Sequence, residues 1–292
     1  MVMRTVIVLG MTLLLAACGG SPSAGGKLDV VAAENAYGNI AAQIGGPHVS
    51  VTSILTSPNA DPHLFEPGTS SGLAVANAKV ALQNGLGYDA FMTRLENAAP
   101  SKNRVVVTMA DVLGVHGKEA NPHLWYDVPR LARVAAATAG ALARADPPHA
   151  VAYRRRLHHF ERSLGPLRRE VATIRTRFHG APVAYTEPVP GYLVAAAGLR
   201  NLAPDSFTRT IEEGTEPSPS ALAAMYDLIA QRRIRALLYN AQAVSPVTAQ
   251  LRASAQKAGI PVVPVTETLP SGVTFQQWQL NQARALAAAL SK

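Results

Sequence analysis

Residues 147–178 read PPHAVAYRRRLHHFERSLGPLRREVATIRTRF. Leu157, Phe160, Leu164, Leu167, Val171, Ile174 and Phe178 recur at intervals of 3, 4, 3, 4, 3 and 4 residues. That spacing is one continuous apolar stripe on one helix. Pro147-Pro148 suits a first helical turn and Gly180 suits a stop. About thirty residues at ~1.5 Å each give a rod of roughly 45–50 Å. Gly165-Pro166 is a fault within it. Because the apolar register runs on across the fault, the pattern predicts a bend and not two separate helices. A coiled coil is disfavoured, since the repeat spans few heptads and Arg and His crowd its other positions.

On both sides of the rod the periodicity changes. Short apolar runs at 28–33, 49–55, 80–83 and 104–108 read as strands, with helical patterns at 36–45, 70–78, 88–98 and 129–144. The same alternation returns after the rod. Runs at 182–186, 236–239 and 261–265 read as strands, with helices near 191–198, 218–232, 246–258 and 275–290. Alternating strands and helices argue for βα units around a mostly parallel sheet. The expected fold is α/β: two Rossmann-like lobes, 27–145 and 180–292, joined by one long linking α-helix over 146–179. Ligands of open α/β sheets bind at the carboxyl ends of the strands, so the site belongs in the inter-lobe cleft.

The first seventeen residues stand apart from this fold. Arg4 gives a short basic start, and Val6 to Ala17 forms an apolar run too short to span a bilayer, the shape of a secretory signal. It ends Leu15-Ala16-Ala17-Cys18-Gly19, which resembles the bacterial lipobox. The resemblance implies cleavage before Cys18, lipid attachment to its sulfur and a flexible tether over 18–26. Cys18 is the sole cysteine, which excludes an intramolecular disulfide and a thiolate metal site in the mature domain.

The chain carries +8, or +7 once Arg4 leaves with the signal. Eight arginines fall between 154 and 177. A nucleic-acid or anionic-surface patch is one reading. Interleaved apolar residues at helical spacing favour the solvated face of one helix instead, and export argues against nucleic acid.

Two stretches echo each other: Asp61-Pro62-His63-Leu64-Phe65-Glu66-Pro67 and Asn121-Pro122-His123-Leu124-Trp125-Tyr126-Asp127. Proline stiffens each loop, and a fixed neutral imidazole suits a metal ligand. A lone histidine is more often structural or merely exposed; the repeated Pro-His-Leu-aromatic context points to a pair. Glu187 and Glu267 each follow a strand pattern, where loops meet the cleft. Unaided, either is as readily a surface loop carboxylate as a ligand.

At these residues the chain resembles the metal-binding solute-binding proteins of bacterial zinc and manganese ABC importers. The likeness covers nearly the whole mature chain: lipobox, both Pro-His-Leu motifs, linking helix and second lobe. It implies His63 and His123 as the ligands of the first lobe. From the second lobe it implies Glu187, in Ala184-Tyr185-Thr186-Glu187-Pro188, where zinc importers carry His and manganese importers Glu. It also implies Glu267, where the family more often has Asp. Two carboxylates and two imidazoles neutralise a divalent ion, as a closed cleft requires. Ligand hardness favours Mn2+, with Zn2+ next and Fe2+ behind, although raw affinity runs towards zinc. Asp127 is expected either to cap the helix at 129 or to orient His123, and Glu66 to do the same for His63.

The function so implied is a lipid-anchored monomeric receptor on the outer face of the cytoplasmic membrane. It delivers a divalent metal to a permease powered by an ATPase. A metal-dependent envelope hydrolase would also use His and Glu, but it needs an open metal position and a general base, and no His-Glu-x-x-His or Gly-x-Ser-x-Gly is present. Nothing in the sequence separately encodes a surface adhesin.

Overall fold

The computed structural model describes residues 26–57 and 65–292. The expected signal, Cys18 and most of the tether therefore lie outside the described residues, as does His63. The first lobe runs β1 (Leu28–Glu34), α1 (Asn35–Gly45), β2 (Val49–Leu55), α2 (Thr69–Asn77), β3 (Val80–Gln83), α3 (Ala90–Ala98), β4 (Val105–Thr108), α4 (Met109–Leu113) and α5 (Leu131–Ala145). The linking segment is α6 (Ala150–Ser163) and α7 (Gly165–Phe178). The second lobe runs β5 (Pro182–Tyr185), α8 (Gly191–Ala196), β6 (Arg200–Asn201), α9 (Asp205–Glu212), α10 (Pro219–Ala230), β7 (Leu237–Asn240), α11 (Pro246–Lys257), β8 (Val262–Val265) and α12 (Phe275–Leu290).

The two sheets are ordered β2-β1-β3-β4 and β6-β5-β7-β8, and every pairing in them is parallel. The lobes thus repeat one topology, and within each sheet all carboxyl ends lie on one side. Their strands are apolar and buried on both faces, as Val30, Val31, Ala32 and Ala33 illustrate, because helices cover parallel sheets from both sides.

The expectation of one bent linking helix needs correction. The helix divides at Leu164 into α6 and α7. Pro166 has no N–H to give to Arg162, so the hydrogen-bond ladder lapses there. Leu164 keeps near-helical angles (φ −74°, ψ −9°), and the ladder resumes from Arg168 N to Leu164 O at 3.0 Å. The apolar stripe is nevertheless used along its length: Phe160, Leu164, Leu167, Val171 and Ile174 are all buried. The half before the break packs on α1 and α5, and the half after it on α12 and α8. Each half of the rod therefore belongs to one lobe.

The lobes share material. One apolar cluster runs from Val30 and Trp125 through Phe160 and Leu167 to Val183 and Phe275. Hydrogen bonds cross as well. Asn35 donates to Leu269 O (2.9 Å) and accepts from Leu269 N (2.8 Å). Tyr126 donates to Thr266 O at 2.7 Å, and Phe275 N to Asn39 at 2.9 Å. Opening the cleft widely would expose part of a common core, so the lobes are joined more tightly than a hinge of free strands would join them.

Three elements escape the sequence reading: α4, β6 and α9. All are short, at two to eight residues. Ser218 caps α10, with Ala221 N donating to its Oγ at 3.2 Å.

Candidate metal centre

Four loops at carboxyl ends of strands meet between the lobes. After β4 and α4 the chain reaches His123, which is fully buried. Its backbone N–H donates to Asn121 Oδ1 at 3.0 Å, and its ring Nδ1 lies 2.8 Å from the same oxygen. Asn121 can only accept there, so Nδ1 carries a hydrogen and Nε2 is the face turned inward. Nε2 lies 3.1 Å from Glu267 Oε2. Glu267 follows β8 and is buried; its backbone N–H donates to Gln242 Oε1 at 2.6 Å, and it accepts from the Tyr88 hydroxyl at 2.7 Å.

Glu187 follows β5 and is 1% exposed. Asn240, the last residue of β7, bridges the two acids. Its Nδ2 donates to Glu187 Oε2 at 2.6 Å and to Glu267 Oε1 at 2.7 Å. Glu187 Oε1 has no hydrogen-bond partner among the described residues. A buried carboxylate oxygen left so is costly unless it is protonated or takes a cation.

The electrostatics agree. Burial, with the neighbouring Glu267 next, raises Glu187 to about 8. Burial alone would lower His123; the carboxylates of Glu212, Glu267 and Glu187 outweigh it and raise the group. The site therefore holds protons at its donor atoms near neutral pH. Among the described residues, no three His, Cys, Asp or Glu side chains are gathered tightly enough to hold an ion. Here His123 and Glu267 bond to each other and Asn240 spans the acids, so an entering cation would have to replace those bonds.

The structure thus brings together three of the four expected ligands, His123, Glu187 and Glu267, and His63 falls outside the described residues. Asp127 serves as a cap: it accepts from the backbone N–H and the guanidinium of Arg130. Glu66 is turned outward, 87% exposed and 4.0 Å from Arg94. The residue that fixes the His123 ring is Asn121, and the one that holds the acids is Asn240. Asn121 stands in the quoted 121–127 stretch without a role, and Asn240 lies one residue past the strand read at 236–239. A polar residue closing a buried strand, as in Leu237-Leu238-Tyr239-Asn240, was the available signal.

Beside this centre lies a cavity of about 300 Å3, lined by Asn121, Pro122, Tyr185, Pro188, Arg209 and Glu212 among others. Across it Arg209 of α9 pairs with Glu119 of the first lobe. Asn121 Nδ2 donates to Pro188 O at 2.7 Å, and the Tyr192 hydroxyl to Asn121 O at 2.9 Å, so the His123 loop is clasped by the opposite lobe.

Residues 30–289 match the family model of the zinc-uptake complex component A, periplasmic (ZnuA). The chain belongs to this family. Its members are solute-binding proteins and not enzymes, which sets the hydrolase aside. The manganese-binding lipoprotein MntA of Bacillus subtilis is 28% identical over 251 residues, 79% of this chain and 77% of that protein. The periplasmic zinc-binding protein TroA of Treponema pallidum superposes with a TM-score of 0.75 at 20% identity, over 92% of this chain and 100% of that one. The solute-binding protein FpvC of Pseudomonas aeruginosa, solved with Mn2+, gives 0.75 at 17% identity over 91% and 98%. These structural likenesses establish the two-lobe α/β fold of the ZnuA family chain.

Proposed function

We propose that the chain is the extracytoplasmic receptor of an ABC importer. It takes one divalent transition-metal ion into the inter-lobe cleft and hands it to a membrane permease driven by an ATPase. His123, Glu187 and Glu267, with His63 from the Pro-His-Leu loop at 61–65, are the donors. The observation that carries this reading is the unpartnered, buried Glu187 Oε1 beside a second buried carboxylate and an imidazole of fixed tautomer. A dication is the cargo that two such acids neutralise.

Manganese is the favoured cargo, zinc next. Two carboxylates with two imidazoles form a harder set than one rich in imidazole, and harder sets suit Mn2+. The naming of relatives such as MntA for manganese supports the same reading. The relatives' names as lipoproteins also support anchoring through Cys18 at the outer face of the cytoplasmic membrane. Protein loaded under equal, competing Mn2+ and Zn2+ and then analysed for metal tests the preference. Exclusive zinc loading even with manganese in large excess overturns it.

A further inference from the structure

The rod's outer face is a strongly charged surface that cargo binding does not use. Arg154, Arg155, Arg162, Arg168, Arg169 and Arg175 are exposed; Arg155, Arg162 and Arg169 lie opposite the apolar stripe and the others flank it. Glu161 and Glu170 are the only acids between 150 and 179. Among the described residues, none of the six arginines has a carboxylate within ion-pair distance. Neighbouring acids do not neutralise this face, as they do on most helices of mixed charge.

Its position gives the charge a meaning. The rod begins at the entry end of the first sheet. His149 stacks on His48 with ring centroids 3.8 Å apart, and His48 immediately precedes β2, whose Val49 pairs with Leu28 at the start of β1. The Arg156 guanidinium lies against Gly46 on the same side. The chain therefore enters its fold, through the exposed Lys27, beside the basic start of the rod. The rod ends at the entry end of the second sheet, where Arg177 and Arg235 cover Phe178. The acids Glu187 and Glu267 are buried in the cleft between these two ends.

We propose that the arginine face of the rod docks on anionic phospholipid headgroups of the membrane. The occupant follows from the charge and from the chain's entry point. The nine residues from Cys18 to Lys27 reach at most about 30 Å. An anchor at Cys18 would keep the rod's basic start within reach of the surface and make docking intramolecular. Each arginine at an anionic surface contributes roughly fivefold to partition. The inference shares with the proposed function the extracytoplasmic location and the anchor at Cys18, and it holds whichever ion the cleft takes.

The test places a fluorophore on the mature chain at Val151→Cys on the rod or at Val244→Cys in the loop leaving β7. These valines are 69% and 58% exposed. Quenching by lipid-borne acceptors is read in phosphatidylcholine vesicles with and without phosphatidylglycerol. The expected result is phosphatidylglycerol-dependent quenching at position 151 severalfold above that at 244. It should vanish near 1 M salt, where screening acts within about 3 Å. It should also fall at least tenfold in the quadruple variant Arg154→Glu, Arg155→Glu, Arg168→Glu, Arg169→Glu. Metal titration of that variant should match the parent, which shows it folded and keeps a failure here distinct from a failure of the metal reading. Equal quenching at both positions, or quenching without dependence on phosphatidylglycerol, overturns the proposal. So does tight binding of a single-stranded RNA by the same arginines with vesicle contact unchanged in the variant.

Discussion

Glu187 and Glu267 lean on one amide: both accept hydrogen bonds from Asn240 Nδ2, at 2.6 and 2.7 Å. Two buried acids that would otherwise repel are held side by side, from the ends of β5 and β8, by the residue that closes the strand between them. Asn240→Ala removes the bridge and leaves like groups facing each other. The metal-free chain should lose about 2–3 kcal/mol, the worth of hydrogen bonds to charged acceptors. Excess Mn2+ should restore part of it. Urea unfolding with and without metal reads both, and an unchanged metal-free midpoint would show that Asn240 does not hold the acids.

Proton uptake at the centre sets a pH dependence. Glu187 rises from an ordinary 4.5 to about 8, through burial first and Glu267 second. His123 rises from 6.5 because the carboxylates of Glu212, Glu267 and Glu187 outweigh burial. Burial likewise raises Glu34 and Asp89. In every case the folded chain holds protons that the unfolded chain has released. For Glu187 that stabilising contribution is complete below about pH 4.5 and is lost as pH rises through about 8. The metal-free unfolding temperature should fall between pH 5 and pH 8.5, and the gain from added Mn2+ should grow over the same window, since metal displaces those protons. A metal-free midpoint that climbs with pH would refute this.

Asn121 carries the orientation of His123, and it fits because Gly191 opposes it. A Cβ on Gly191 would lie 2.7 Å from Asn121 Nδ2, an amide already fixed on Pro188 O. Gly191→Ala should displace Asn121 and free the imidazole. Metal affinity should fall about 10–100-fold, as for lost groups that orient a ligand, with little change in metal-free stability. Calorimetric titration decides, and full affinity in both Gly191→Ala and Asn121→Ala would remove the positioning role.

The paired hydrogen bonds between Asn35 and Leu269 bind the lobes at the rim of their shared core. Asn35→Ala leaves a backbone N–H and C=O of Leu269 unpaired, at a cost of about 1–3 kcal/mol. Small-angle scattering should show a larger radius of gyration in the metal-free variant than in the parent. Identical profiles would place the control of opening elsewhere.

The fold was legible where periodicity is strong and unopposed. The strands around Val30, Val80 and Val263 and the stripe from Phe160 to Ile174 follow directly from apolar spacing. The division at Leu164 is not legible in the stripe, because side-chain register survives a missing backbone hydrogen bond. The short helix α9 leaves only a weak signal, with Phe207 and Ile211 as its buried apolar positions. At the candidate centre, the repeated Pro-His-Leu context and the acids after two strands singled out the donors. Of the groups that fix them, Asn121 stands two residues before His123, whereas Asn240, Gln242 and Tyr88 share no motif with the donors. They become visible only when strand ends from both lobes are brought together.

The central claim is that one dication is held by His63, His123, Glu187 and Glu267. Titration calorimetry with Mn2+ on the purified chain and on His63→Ala, His123→Ala, Glu187→Gln and Glu267→Gln tests it most directly. The account predicts one ion per chain, an affinity reduced at least tenfold in each variant, and parental affinity in Glu66→Ala, whose carboxylate faces Arg94. Parental affinity in both His63→Ala and Glu187→Gln would contradict it.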